Sequence, residues 1–262
     1  MSTRESWAGT LFLGDGWAAY AGFVGPTTPH AHHAFQLAQA LEGHLALRGA
    51  EDAENVPCEV AAIAPSVLHA VGPGASRAVM VYVDPDTIVG RRLRVSVPPR
   101  RFALEWQDAG AALRVGLGES VPSEWTEARE RVHAMTSALG ADSGRAHVVH
   151  PALVRARAWL VEHLHDDEIS LDAVAVAAGL SGDRLSHLLN EELGIGLRPL
   201  VLWLRLHVAV REIAQSKSPT MSRAATAAGF ADAAHMTRTF RRMFGVAPTE
   251  VVGLVRWVLP PA

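Results

Sequence analysis

Between residues 10 and 120 the apolar positions fall in short runs separated by glycine and proline. Trp17–Phe23, Phe35–Ala40, Gly43–Leu47, Val60–Ile63 and Ala78–Val83 have strand length, and Pro65–Val71 reads as a turn and a strand. Many short strands at near-regular spacing predict a sandwich or barrel. From about Ser123 the period changes. Glu124–Leu139 lacks glycine and proline and sets Trp125, Ala128, Val132, Met135 and Leu139 at helical spacing. That stripe suits packing on the sheet or a dimer interface equally. Ala141–His150 reads as a linker, Pro151 suits a first helical turn, and helices follow to about Val255.

The helical half repeats itself. Val176–Leu180 (VAAGL) echoes Thr226–Phe230 (TAAGF), and LSHLLNEELGI from Leu185 echoes MTRTFRRMFGV from Met236. Each unit reads helix, tight turn, helix. In the first, Ser170 and Ser181 suit N-caps, Gly179 and Gly194 suit left-handed helix ends, and Leu185, Leu188, Leu189 and Leu193 face inward. In the second, Thr220 and Asp232 cap, Gly229 and Gly245 end the helices, and Phe230, Met236, Phe240 and Phe244 face inward. The largely apolar Leu200–Ala214 predicts a buried connecting helix, in which Arg205 pairs with an acidic neighbour. On the opposite, polar faces stand Gly182, Asp183, Ser186, His187 and Asn190, then Ala233, Ala234, Thr237, Arg238 and Arg241.

Residues 151–253 resemble the DNA-binding domain of the AraC/XylS family of bacterial transcription regulators, most fully over AATAAGFADAAHMTRTFRRMFGVAPTEV, Ala224–Val251. Residues 10–120 resemble that family's cupin-like sensor, through HAHHAFQLAQALEGHLALRG and AIAPSVLHAV. The resemblance implies an α+β chain of two domains. A cupin-like effector-sensing β-barrel over 1–122 is followed by a helix and linker over 123–150. A double helix-turn-helix domain spans 151–262. It also places base-reading positions on Asp183, Ser186 and His187, and on Ala233, Ala234, Thr237 and Arg238. Arg238 has the chemistry to grip guanine O6 and N7 in two hydrogen bonds, while Thr237 or an alanine suits a thymine methyl. Arg241 and Arg242 suit phosphates, as do the helix N-termini behind Ser170 and Thr220. Asp183, Glu191 and Glu192 make the first unit acidic, so the second is expected to carry the affinity.

His30 and His32 share one strand face, with Gln36 on that face if the strand continues, while His33 points away. With His69 they resemble the ligand pattern of a metallocupin, with glutamine in place of the usual glutamate. Three readings stay open: a divalent metal on His30, His32 and His69, polar contacts of an effector pocket, or ordinary histidines.

Charge and composition refine this picture. The chain has 262 residues, 49% of them hydrophobic, which excludes a disordered chain. Its one cysteine, Cys58, excludes an internal disulfide framework and a Cys-rich zinc site. The formal net charge is −3, but Arg223, Arg238, Arg241 and Arg242 face only Asp232 within 223–242, the clearest basic concentration of the helical half. No phosphate-binding loop, nucleophile elbow or dinucleotide fingerprint is present. The expectation is a non-enzymatic, cytoplasmic regulator without a required cofactor. Its partners are duplex DNA, a small-molecule effector, RNA polymerase if it activates, and a second copy in a homodimer. No membrane is implied. Two alternatives compete. One is a cupin-type metalloprotein or enzyme with a helical appendage, and the other is a helical half that binds protein.

Overall fold

The computed structural model describes residues 6–74, 76–115, 117–118, 120–142, 148–166 and 168–261. Residues 143–147, the middle of the expected linker, lie outside the described residues. The chain forms two compact units, Met1–Ala146 with Arg241–Ala262, and His147–Phe240.

The first unit is built on β1 (Ala8–Leu13), β2 (Trp17–Val24), β3 (Phe35–Glu42), β4 (Leu45–Gly49), β5 (Val56–Cys58), β6 (Val60–Ile63), β7 (His69–Val71) and β8 (Ser76–Val83). Two short helices follow, α1 (Ile88–Ser96) and α2 (Ala103–Ala109), and then α3 (Trp125–Ala138). The last strand of the chain, β9 (Val255–Val258), also belongs here. One sheet runs β6-β3-β8-β2-β1-β9 and the other β5-β4-β7. Both orders have free ends, so the hydrogen bonding draws two open sheets in place of the closed barrel expected from the sequence. β9 lies parallel to β1, pairing Gly9–Phe12 with Val255–Val258, and forms one of those free ends.

Helices α1 and α2 replace strands and turns predicted there. Gly90 reads as a breaker, yet it sits inside α1, at a place where a Cβ would stand 2.1 Å from the Asp84 carbonyl oxygen and only glycine fits. The stripe on α3 is spent on the sheet. Ala128, Val132 and Met135 share one core with Phe12, Phe35, Leu37, Val79, Val81 and Leu113. The Trp125 Nε1–H donates to the Leu13 carbonyl at 2.8 Å. The packing reading of that stripe therefore describes its place here.

The second unit holds α4 (Pro151–Glu162), α5 (Leu171–Ala178), α6 (Gly182–Leu193), α7 (Leu197–Gln215), α8 (Met221–Ala227) and most of α9 (Ala233–Phe244). The end of α9 and α10 (Pro248–Val251) fall in the sheet unit. Caps set the helix starts: Ser170, Ser181 and Thr220 accept from the amides of Ala173, Arg184 and Arg223. Asp232 accepts from His235 at the start of α9. Leu153, Leu160, Val174, Leu185, Leu189, Leu200 and Leu204 form the core between these helices. Within α7, Arg205 donates to the carbonyl oxygens of Leu164 (2.9 Å) and Asp166 (3.0 Å). It thus serves carbonyl acceptors just beyond α4. Arg155 does the same for α5, donating to the Ala178 carbonyl. Gly229 turns the second unit at φ +72°, and a Cβ there would stand 2.1 Å from the Leu164 carbonyl oxygen.

Candidate nucleic-acid interface and histidine cluster

On α6, Leu185 and Leu189 are buried, while Asp183, His187 and Asn190 are exposed and Ser186 half-buried. Exposing either leucine would cost roughly 1.5–3 kcal/mol, so packing fixes the polar face outward. That face is not free of local bonds. His187 lies 3.7 Å from Glu191 one turn on, and the Asn190 amide donates to the Ser186 carbonyl at 2.8 Å.

On α9, Met236 and Phe240 are buried, Ala234, Arg238, Arg241 and Arg242 are exposed, and Ala233 and Thr237 are half-buried. Two of the basic residues noted in the sequence are engaged. Arg223 meets Glu212 at 2.6 Å, and Arg241 meets Glu250 at 3.1 Å. The Glu250 carboxyl is held below its usual range mainly by the hydrogen bond from the Ala247 amide, with Arg241 adding to it. The phosphate-binding candidates Ser170 and Thr220 each spend their hydroxyl on their own helix.

The second cluster lies in the sheet unit. The segment between β2 and β3 is pinned to β7: Thr27 and Val71 exchange two hydrogen bonds of 2.8 Å, and His30 and His69 exchange backbone bonds of 2.9 Å. The Ser66 amide donates to the His32 carbonyl at 2.8 Å. This bonding brings His30, His32 and His69 together, all buried, with one ring nitrogen from each inside a 4.8 Å cluster. Gln36, on β3, puts Oε1 at 2.9 Å from His32 Nε2 and 3.1 Å from His69 Nε2. His33 turns elsewhere, its Nε2 4.0 Å from Asp86.

Nδ1 of His30 lies 2.9 Å from the Thr28 carbonyl oxygen, and Nδ1 of His69 lies 2.9 Å from that of Val67. A carbonyl only accepts, so each Nδ1 carries the proton and each Nε2 presents a lone pair. Burial lowers the pKa of all three histidines; that of His30 is pushed down to about 4, with His32 adding to the effect. All three are therefore neutral imidazoles near neutral pH, the form that binds metals. The Phe244 ring is 6.1 Å from that of His32, and the Tyr82 ring is 5.3 Å from it. The sequence reading missed Thr28, Phe244 and Tyr82 as neighbours of this cluster, because no local spacing links them to it.

Two helix–turn–helix units, each with its second helix polar on the outer face, make the helical half a double helix-turn-helix domain. Residues 174–253 match the family described as "Helix-turn-helix domain". Over 96 residues the chain is 33% identical to the Transcriptional activator NphR of a Rhodococcus species, a stretch covering 37% of this chain and 28% of NphR. Residues 174–253 thus carry a helix-turn-helix domain, and the chain spans about a quarter of the length of NphR. Two structures of ToxT from Vibrio cholerae share the architecture of the whole chain. Apo ToxT K231A has a TM-score of 0.57 at 11% identity, covering 91% of this chain and 97% of that one. ToxT with unsaturated fatty acid bound has a TM-score of 0.58 at 12% identity, covering 95% and 97%. No single helix among the described residues is long and apolar enough to cross a membrane.

Proposed function

We propose that this chain is a sequence-specific DNA-binding transcriptional regulator, not an enzyme, controlled by a small molecule in its two-sheet unit. The observation that carries the reading is the repeated unit with Leu185, Leu189, Met236 and Phe240 inside and Asp183, Ser186, His187, Asn190, Ala233, Ala234, Thr237 and Arg238 along the other faces. Arg238 is the principal base reader of this proposal, and Arg242 a phosphate contact. RNA polymerase is a further partner where the bound site activates.

The fold match to ToxT supports an effector-sensing, cupin-like role for the sheet unit. One ToxT structure has an unsaturated fatty acid bound, which supports effector control of this chain without naming its ligand. The histidine cluster fits a divalent metal: three neutral imidazoles converge, two tautomers are set by backbone carbonyls, and Gln36 Oε1 lies within 3.1 Å of Nε2 of both His32 and His69. His30, His32 and His69 would hold the ion with Gln36 as a neutral fourth donor. The ion would supply a local positive charge and an exchangeable coordination position. A Gln36 amide turned the other way would satisfy the same nitrogens by hydrogen bonding, and titration with zinc separates the two.

Selection of bound DNA from a random duplex pool tests the regulator reading. A recovered consensus is expected. Retention of no duplex by the folded chain at low salt would overturn it. With the consensus in hand, Arg238→Ala is expected to weaken binding to that site by about 1–3 kcal/mol and binding to random duplex by less. Equal loss on both would make Arg238 a phosphate contact.

A further inference from the structure

Thr28 stands between two contacts of the sheet unit. Its carbonyl accepts the His30 Nδ1–H at 2.9 Å. Its own amide and hydroxyl both donate to the carbonyl of Gly245, at 2.9 and 3.0 Å. Gly245 is the residue that ends α9, at φ +72°. The fit there is close. A Cβ on Gly245 would stand 2.5 Å from the Thr28 carbonyl oxygen and 2.6 Å from His30 Nδ1. One residue back, Phe244 places its ring beside His32 and Tyr82. The first histidine of the cluster and the last turn of α9 therefore share one residue, Thr28, as a bonding partner.

We propose that Thr28 couples the histidine cluster to the end of α9, so that a divalent metal on His30, His32 and His69 and the seating of Gly245 stabilise one another. The proposal rests on the metal reading given above. Binding an ion fixes the His30 ring, and with it the direction of the Nδ1–H that the Thr28 carbonyl accepts. The same residue is held from its other side by the two bonds that its amide and hydroxyl donate to Gly245. Coupling is reciprocal: whatever loosens Gly245 must weaken the metal by the same factor by which the metal tightens Gly245.

The test uses the full chain, with Zn²⁺ as the probe. Binding is titrated by calorimetry for the wild type, His69→Ala, Thr28→Val and Gly245→Ala. Hydrogen exchange of amides 241–247 is followed with and without Zn²⁺. Thr28→Val keeps the carbonyl that serves His30 and removes only the hydroxyl bond to Gly245, so it separates coupling from metal ligation. The expected result is one Zn²⁺ per chain in the wild type and none in His69→Ala. Zn²⁺ affinity should fall about fivefold to tenfold in Thr28→Val and Gly245→Ala, the low end of ordinary coupling energies. Exchange at 241–247 should slow with Zn²⁺ in the wild type, and less so in Thr28→Val. If the wild type takes up no Zn²⁺, the metal reading and the coupling both fall. Stoichiometric Zn²⁺ with unchanged affinity in Thr28→Val and unchanged exchange at 241–247 overturns the coupling alone. Gly245→Ala is the larger perturbation, and the isosteric Thr28→Val keeps the test open if Gly245→Ala fails to fold.

Discussion

Gly229 shows how one position holds the second helix-turn-helix unit together. Its φ of +72°, and the mere 2.1 Å that would separate a Cβ from the Leu164 carbonyl oxygen, leave room only for hydrogen. A left-handed alanine costs about 1–2 kcal/mol, and relieving the clash adds about 1–3 kcal/mol. Gly229→Ala is therefore expected to destabilise the helical unit by roughly 2–5 kcal/mol, read as a lowered thermal midpoint with loss of helical ellipticity. A loss within about 0.5 kcal/mol, the range of an ordinary surface substitution, would mean that the turn relaxes freely. The sequence suggested a glycine stop here from its place after an alanine-rich helix, and the structure adds the carbonyl that makes the stop obligatory. Arg205 shows what a linear pattern leaves out: helix ends present unpaired carbonyls, and the spacing gives no sign that those of Leu164 and Asp166 fold beside this arginine. Thr28 was invisible for the same reason: its partner Gly245 lies 217 residues away.

Among the elements, the second helices of the two units differ in charge more than in shape. On α6 the exposed charges are Asp183, Arg184 and Glu191, whose two carboxylates oppose a phosphate backbone, whereas the exposed charges of α9 are Arg238, Arg241 and Arg242. Arg241 is held by Glu250, whose carboxylate also accepts from the Ala247 amide at the start of α10. Glu250→Gln removes that negative charge and frees Arg241. If α9 lies on DNA as proposed, the variant should bind random duplex more tightly and raise the slope of log affinity against log salt by about one. An unchanged slope would show that Arg241 does not reach a phosphate even when free. The same carboxylate predicts a pH effect. Its pKa is lowered in the folded state, so its contribution is present above the ordinary carboxylate pKa and is lost as pH falls through the folded value. Acid should therefore loosen α10 in the wild type and have no such effect in Glu250→Gln. Caps and glycine stops made α5, α6, α8 and α9 legible from the sequence. Helices α1 and α2 were not, since each is short and Gly90 counts as a breaker until its neighbour Asp84 is seen.

On the scale of the whole molecule, the end of the chain does not stay with the helices that precede it. Residues 241–262 group with the sheets, and β9 pairs with the edge strand β1 over four residues. Arg256 reinforces that edge, donating to the Ser123 carbonyl and to the Thr10 hydroxyl. The apolar tail could be seen to need cover, but a parallel pairing between strands more than two hundred residues apart leaves no local signature. An exposed edge strand offers unpaired amides and carbonyls to other chains. A chain that stops after Gly253 would leave β1 in that state. Its β1 amides should exchange faster with solvent, its sheet unit should melt at a lower temperature, and it should aggregate at concentrations where the full chain stays soluble. The helical unit, whose core is Leu153, Leu160, Val174, Leu185 and Leu204, contains none of the deleted residues. Hydrogen exchange at α5 and α6 should accordingly match the full chain. Equal loosening in β1 and in α6 would show that the tail stabilises the molecule globally and not through the edge it covers.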